Sequence, residues 1–338
     1  MRHAAIGSAP APLHAGRRLG SSAPAAAVAR PHRTRAGARC RWRLAPSALG
    51  GAEPSLVTLP VFPLPNVLHP TQQGVISVFE PRYLALFRAV LEEHPGGRGG
   101  RFLHVLSPAA APPALLDNAV GGLPRIGCCA EVEAIEERPD GTLLVQYAGA
   151  RRVQLLLSQQ EEPFTRVAAE WYDDDPAGEL DPTVDVLERE TAKLLLQIER
   201  LLLLLSPGEG ALPEAVRRYS PPAAVAKKTS YDALKAAGHR AAGHIDMWRR
   251  HGSVYKTQSQ APAAASDPYE AIREALGKAR RQELFSFAAA QLLVMGTPER
   301  AALMLNQDTG TRLNFVIAAL RPYFLELQAK ASLKRGLE

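Results

Sequence analysis

The spacing of apolar residues changes period once along this chain, and that change limits the folds open to it. Before Asp173-Asp174-Asp175-Pro176 the apolar residues fall in short runs, at 55–60, 75–79, 102–106, 126–135, 143–147, 153–157 and 167–172, punctuated by Pro and Gly. Runs of that length and composition are strands. After it, Val184, Leu187, Thr191, Leu194, Ile198, Leu201 and Leu205 recur at steps of three and four, the stripe of a helix. Leu195 and Leu202 widen the stripe beyond a strict seam, so it is expected to pack on helices of its own chain rather than on a second copy. The expected class is α+β: a twisted, barrel-like β subdomain over 53–175, followed by an α-helical bundle over 181–205 and 268–333.

Within the β part, one helix is expected from Pro81 to about Glu93, with Tyr83, Leu84, Phe87, Val90 and Leu91 on its apolar face. Asp140-Gly141 reads as a hairpin turn, because glycine permits the positive φ such turns need. Beyond Asp267-Pro268 the helical pattern resumes at 269–276, 281–294, 298–305 and 311–331, and Pro322 is expected to kink or split the last of these. Thr297-Pro298-Glu299 reads as a cap, a first-turn proline and a carboxylate matched to the helix dipole. Residues 206–267, rich in Pro, Ala, Gly and Ser, read as an insertion with a single helix at 231–250. Its His239, His244 and His251 lack the spacing of a metal site.

Charge is unevenly placed. Residues 1–52 contain nine arginines, no lysine and no carboxylate. Set aside, they leave 31 basic against 34 acidic residues, so the overall +6 belongs to the leader. Arg-rich, acid-free sequence without an apolar block is expected of an organelle transit peptide, disordered before import. No apolar run reaches the roughly 18 residues of a membrane span.

Chemistry-bearing patterns are few. Cys128 and Cys129 are adjacent, so on a strand their thiols point to opposite faces and do not form a redox pair. Gly96-Gly97-Arg98-Gly99-Gly100 follows a helix rather than preceding one and reads as a loop, not a phosphate cradle. No cofactor, metal site or catalytic motif is expected.

The specific part of the sequence is Leu59-Pro60-Val61-Phe62-Pro63-Leu64-Pro65-Asn66-Val67-Leu68-His69-Pro70, followed by Val78-Phe79-Glu80-Pro81-Arg82-Tyr83. It resembles the amino-terminal, substrate-binding domain of Lon proteases. Weaker matches follow in order: Ile126-Gly127, Asp140-Gly141, Gly149 with Arg152, Pro163-Phe164, then the helical stretch from Glu283 and Thr297-Pro298-Glu299-Arg300. His69 and Val153 depart from the family pattern, which has an apolar residue and an aromatic at those places. Gly277-Lys278 is followed by Ala279, so it is not the phosphate-binding loop of a Lon motor. No Ser/Lys protease domain is recognised either. The resemblance implies a stand-alone Lon-domain protein of plastid type, with a PUA-like β subdomain and no enzymatic activity.

The expected function is therefore a non-catalytic module that recognises exposed hydrophobic segments of unfolded or damaged proteins. It would serve as adaptor or holdase in the chloroplast, the alternative being the mitochondrion, with an organelle protease or chaperone as partner. Oligomeric state is left open. Candidate polypeptide-binding residues are Val61, Phe62, Leu64 and Phe79, with Phe62 expected in the core and Leu64 as the exposed contact. Pro60, Pro63 and Pro65 are expected to stiffen an edge segment, with Glu80, Pro81, Arg82, Tyr83, Gly127, Asp140, Gly141, Gly149 and Arg152 as framework. Two other readings remain. RNA binding rests on the PUA-like likeness and a patch at Arg151, Arg152 and Arg166, against an acidic balance outside the leader. An ATP-dependent peptidase would rest on transfer from Lon alone.

Overall fold

A computed structural model describes residues 55–95, 97–175, 181–206, 211–222 and 267–337. The expected transit peptide, the 231–250 helix and the three histidines of that region lie outside the described residues. Six strands make one sheet: β1 (Leu56–Leu64), β2 (Gln73–Val78), β3 (Arg101–Leu106), β4 (Ile126–Glu137), β5 (Leu143–Gln160) and β6 (Arg166–Trp171). Helix α1 (Pro81–Glu93) lies between β2 and β3 in sequence. The spatial order is β2-β5-β4-β3-β1-β6, and β5 also pairs with β6. At 18 residues, β5 is long enough to serve both: 143–148 pair with β2, and 153–160 with β6. Register shifts on both sides of β5 let it turn between those partners. The pairings thus run from β5 round to β5 again, with β2 attached outside. The sheet is twisted and barrel-like, not a clean barrel.

β1 is not an edge strand, which corrects the role expected of its prolines. Residues 56–60 pair with β6, and 61–64 pair in parallel with β3. Val61 donates its N–H to Thr165 O at 2.8 Å. Two residues on, Pro63 turns its ring nitrogen to that same side, past the last β6 pairing at Pro60–Arg166, where no donor is required.

Both faces of the sheet are buried, and strand alternation sorts the residues. Val61, Leu103, Cys129, Val153, Leu155 and Val167 form one cluster. Phe62, Leu64, Phe102, Leu106, Cys128 and Tyr147 face the other way, under Leu86, Phe87 and Val90 of α1. Phe87 meets Phe62 and Phe102 edge-on, at centroid distances of 5.6 and 5.3 Å. Adjacent Cys128 and Cys129 take opposite faces, and burial pushes the Cys128 thiol pKa up, so it stays protonated and inert.

The helices are α2 (Pro182–Leu205), α3 (Glu214–Tyr219), α4 (Glu270–Leu276), α5 (Lys278–Ala290), α6 (Thr297–Leu305) and α7 (Thr309–Leu337). Asp181 caps α2 by accepting from Thr183 N–H at 2.8 Å. Val184, Leu194, Leu195 and Ile198 of its stripe are buried with Leu313, Val316 and Leu320 of α7, so the stripe packs within the chain. Leu212, Val216 and Tyr219 belong to the same core. Residues 211–222 are therefore part of the bundle, a correction to the reading of 206–267 as an insertion; its apolar positions are too few to show a period. α7 runs unsplit through Pro322, so of the expected kink or split the split does not occur. Pro322 and Ala318, whose carbonyl loses its N–H partner to the proline ring, are both exposed, so the break in the ladder lies on the solvent side of the helix. Gly277, at φ 70°, turns the corner between α4 and α5, with no strand before it to make a phosphate loop.

Candidate functional site

Three of the four residues expected to contact polypeptide are interior. Val61, Phe62 and Leu64 are 1%, 4% and 7% exposed, whereas Phe79 is 69% exposed. Leu64 as the exposed contact is thus corrected: it lies two residues from Phe62, shares its face, and is covered with it by the α1 side of the core. The rest of the motif fixes α1. Pro81 opens the helix after Glu80 in extended conformation. Arg82 bonds Glu80 at 3.1 Å on the surface, and the Tyr83 ring lies 4.5 Å from Phe62. Glu80 and Arg82 form a solvated pair of small energetic weight. Tyr83 seats the helix on the sheet.

What the motif leaves exposed is the end of β2. Ile76 and Val78 of this strand turn into the core, so Val75 turns out, 64% exposed, and Phe79 follows at the strand's end. β2 pairs only with β5, and among the described residues no strand covers its other edge. Gly74 lets the strand sit flat there: a Cβ would meet the Tyr147 ring at 2.3 Å. Val75 was not among the expected site residues. In the run from Val75 to Phe79 each register carries two large apolar residues, Val75 and Phe79 beside Ser77 in one and Ile76 and Val78 in the other, and only the pairing partner decides which side chains face out.

The framework residues hold the sheet to the helices. Arg152 on β5 is fully buried and reaches Glu283 of α5 at 3.0 Å, Asp174 between sheet and bundle, and the carbonyls of Met304 and Asn306 at 3.1 and 2.7 Å. Arg312 of α7 also grips Asp174. Burial pulls the Asp174 carboxyl upward, but the two guanidiniums outweigh it and hold it below the usual range. Gly149 is required where β5 crosses the loop after β1, since a Cβ would meet His69 O at 2.2 Å. In that loop the buried His69 bonds Arg300 O at 2.8 Å and packs against Phe287 of α5. A Cβ on Gly127 would press against His104 O at 3.0 Å. Gly141, at φ 80°, completes the hairpin, with Asp140 accepting from Thr142 N–H at 3.0 Å. The arginine patch does not exist as one. Arg152 is buried, Arg151 pairs with Asp173, and Arg166 faces Glu93 at 3.8 Å. Nothing in that arrangement offers a row of free cations to phosphates.

The sequence matches the family described as the ATP-dependent protease La (LON) substrate-binding domain over residues 58–321. The chain belongs to that family. Solved structures similar to it include two Lon N-terminal domains. The Lon N-terminal domain protein of Xanthomonas campestris is 19% identical, with 78% of this chain and 98% of that one covered and a TM-score of 0.41. The N-terminal domain of the Mycobacterium avium complex Lon protease is 13% identical, with 78% and 97% covered and a TM-score of 0.40. No curated protein matches. The Lon-family match begins inside β1 and ends inside α7, so it takes in the exposed β2 edge, Phe79 and the Arg152 junction.

Proposed function

We propose that this Lon-family chain is a non-catalytic module that binds exposed apolar segments of unfolded or damaged proteins, as an adaptor or holdase. The observation that carries this reading is the open edge of β2 with Val75 and Phe79 beside it. An extended segment added along that edge gains main-chain hydrogen bonds that demand little of its sequence, while apolar side chains bury against the two exposed residues. Recognition that reads backbone and apolarity suits clients whose only common property is being unfolded. The acid-free, Arg-rich residues 1–52 support organelle import; the choice of the chloroplast over the mitochondrion rests on the resemblance to stand-alone Lon-domain proteins and not on that composition.

The test is retention of a denatured client. Carboxymethylated, unfolded lactalbumin is expected to co-sediment with the full chain or stay soluble in its presence without ATP; if neither occurs, the reading is wrong. Residues 1–52 fused to a fluorescent reporter are expected to enter isolated chloroplasts, and uptake by mitochondria alone overturns that placement.

A further inference from the structure

α2 and α7 lie side by side and run in the same direction. A Cβ on Gly310 would touch Val184 at 3.5 Å, Arg321 pairs with Glu190, and Lys334 donates to Leu204 O at 3.0 Å. Their inner faces are buried in the bundle core. A helix so placed normally turns a polar face to solvent. Here Val186, Leu196, Leu203 and Leu204 of α2 are between 38% and 55% exposed, and Leu325 and Leu333 of α7 are 62% and 69% exposed. The charges on the pair are unevenly matched. Each carboxylate of the two helices is held by a cation: Asp185 by Lys278, Glu188 by Arg281, Glu190 by Arg321, Glu199 by Arg217 and Glu326 by Lys330. All three cations of α2 are left over. Arg189, Lys193 and Arg200 are exposed and, among the described residues, have no hydrogen bond or ion pair; Asp185, whose charge Arg189 feels, is taken by Lys278 and Gln282.

The order of these residues selects the partner. Arg189, Lys193, Leu196, Arg200 and Leu203 follow at alternating steps of four and three, so cations and leucines share one line along the helix. A protein interface keeps charge out of its apolar core and sets it at the rim. A lipid headgroup layer takes both along one line: leucines enter the acyl boundary, while Arg and Lys extend their aliphatic stems and leave the charged ends at the phosphates. Outside residues 1–52 the chain is acidic on balance, so this surplus of positive charge is local. We propose that the outer face of α2, with Leu325 and Leu333 of α7 beside it, docks the chain on an anionic lipid surface. Arg189, Lys193 and Arg200 meet phosphates there, and Leu196 and Leu203 enter the acyl boundary. The site goes beyond the polypeptide-binding reading and does not depend on the β2 edge.

The full chain is sedimented with vesicles of phosphatidylcholine alone and of phosphatidylcholine mixed three to one with phosphatidylglycerol. Binding to the mixed vesicles, weakened by salt, is expected, with little to the neutral ones. No binding to the mixed vesicles overturns the proposal. Residues 1–52 are cationic themselves, so variants of α2 decide which part of the chain makes the contact. Arg189→Gln, Lys193→Gln and Arg200→Gln combined are expected to weaken binding on the order of a hundredfold, about fivefold per cation, with the melting temperature unchanged. Undiminished binding by that variant overturns the proposal and leaves the leader as the contact. In a Cys40→Ser chain, a polarity-sensitive dye attached to Leu196→Cys is expected to shift to the blue on the mixed vesicles, and the same dye on the exposed Glu137→Cys of β4 to stay as in water. An aqueous spectrum at Leu196→Cys in the bound chain overturns the assigned face. A dimer that forms with concentration, is lost in Leu196→Ser and ignores vesicles overturns lipid as the occupant and gives the face to a second copy.

Discussion

Phe62 and Phe79 belong to one motif corner, and burial gives them opposite tasks. Phe62 fills the space between Phe87, Phe102 and Tyr83, so Phe62→Ser is expected to cost about 2–5 kcal/mol in a urea melt, and Leu64→Ser a similar amount. Phe79→Ser is expected to shift stability by no more than about 0.5 kcal/mol while reducing retention of unfolded client. A melt in which Phe79→Ser is the more damaging would reverse the assignment. The buried histidines set a pH limit. Burial lowers both His69 and His104 from 6.5 to about 4, partly offset by their bonds to backbone carbonyls. Above pH 6.5 both rings are neutral folded or unfolded, and they cost nothing. Between 6.5 and 4 the unfolded chain takes up protons that the folded one refuses, so stability falls with pH, by up to about 3 kcal/mol per ring. Urea midpoints across that range should show the decline, and His69→Gln should reduce it.

At the scale of elements, β2 is the piece on which the proposed function rests. An exposed apolar edge is a hazard in a folded protein, and a charge placed there is how such edges are closed to further strands. Val75→Lys is therefore expected to leave the melting temperature within a few degrees and to weaken client binding about tenfold or more. Unaltered binding in the folded variant would remove β2 from the site. The period of the α2 stripe was readable from residue spacing alone, because it repeats one local rule many times. The length of β5 was not: Ala148-Gly149-Ala150 interrupts the apolar spacing and reads as a gap between two strands, at 143–147 and 153–157, where pairing with β4 carries a single strand through. Nor was α3: six residues with three buried positions cannot show a period, and only its contacts with α5 and α2 make it a core element.

The whole molecule is joined by charges that no local pattern announces. Arg152, Asp174, Glu283 and Arg312 come from β5, the segment before α2, α5 and α7, and meet in a buried cluster. Removing Arg152 takes one of two arginine partners from each of Asp174, which keeps Arg312, and Glu283, which keeps Arg280. It also leaves the buried Met304 carbonyl without its donor, so Arg152→Ala is expected to cost about 3–5 kcal/mol. A double-mutant cycle with Glu283→Ala should recover part of that loss; strict additivity would mean that the pair is not coupled. If the cluster couples the two halves, the wild-type sheet and bundle should unfold together and the Arg152 variant should separate their transitions.

The sequence by itself determined the class of the fold, the place where strands yield to helices, the hairpin at Asp140-Gly141 and the family. Those follow from period, turn chemistry and a proline-bearing motif, all local properties of neighbouring residues. Only the tertiary structure decided that Leu64 is buried and Val75 exposed, and that Arg152 is a lock rather than part of a basic surface. Each of these depends on what lies across a strand pair or on the facing helix. Partners brought together from more than a hundred residues away, as Arg152 is with Glu283, leave no mark in the spacing of either segment.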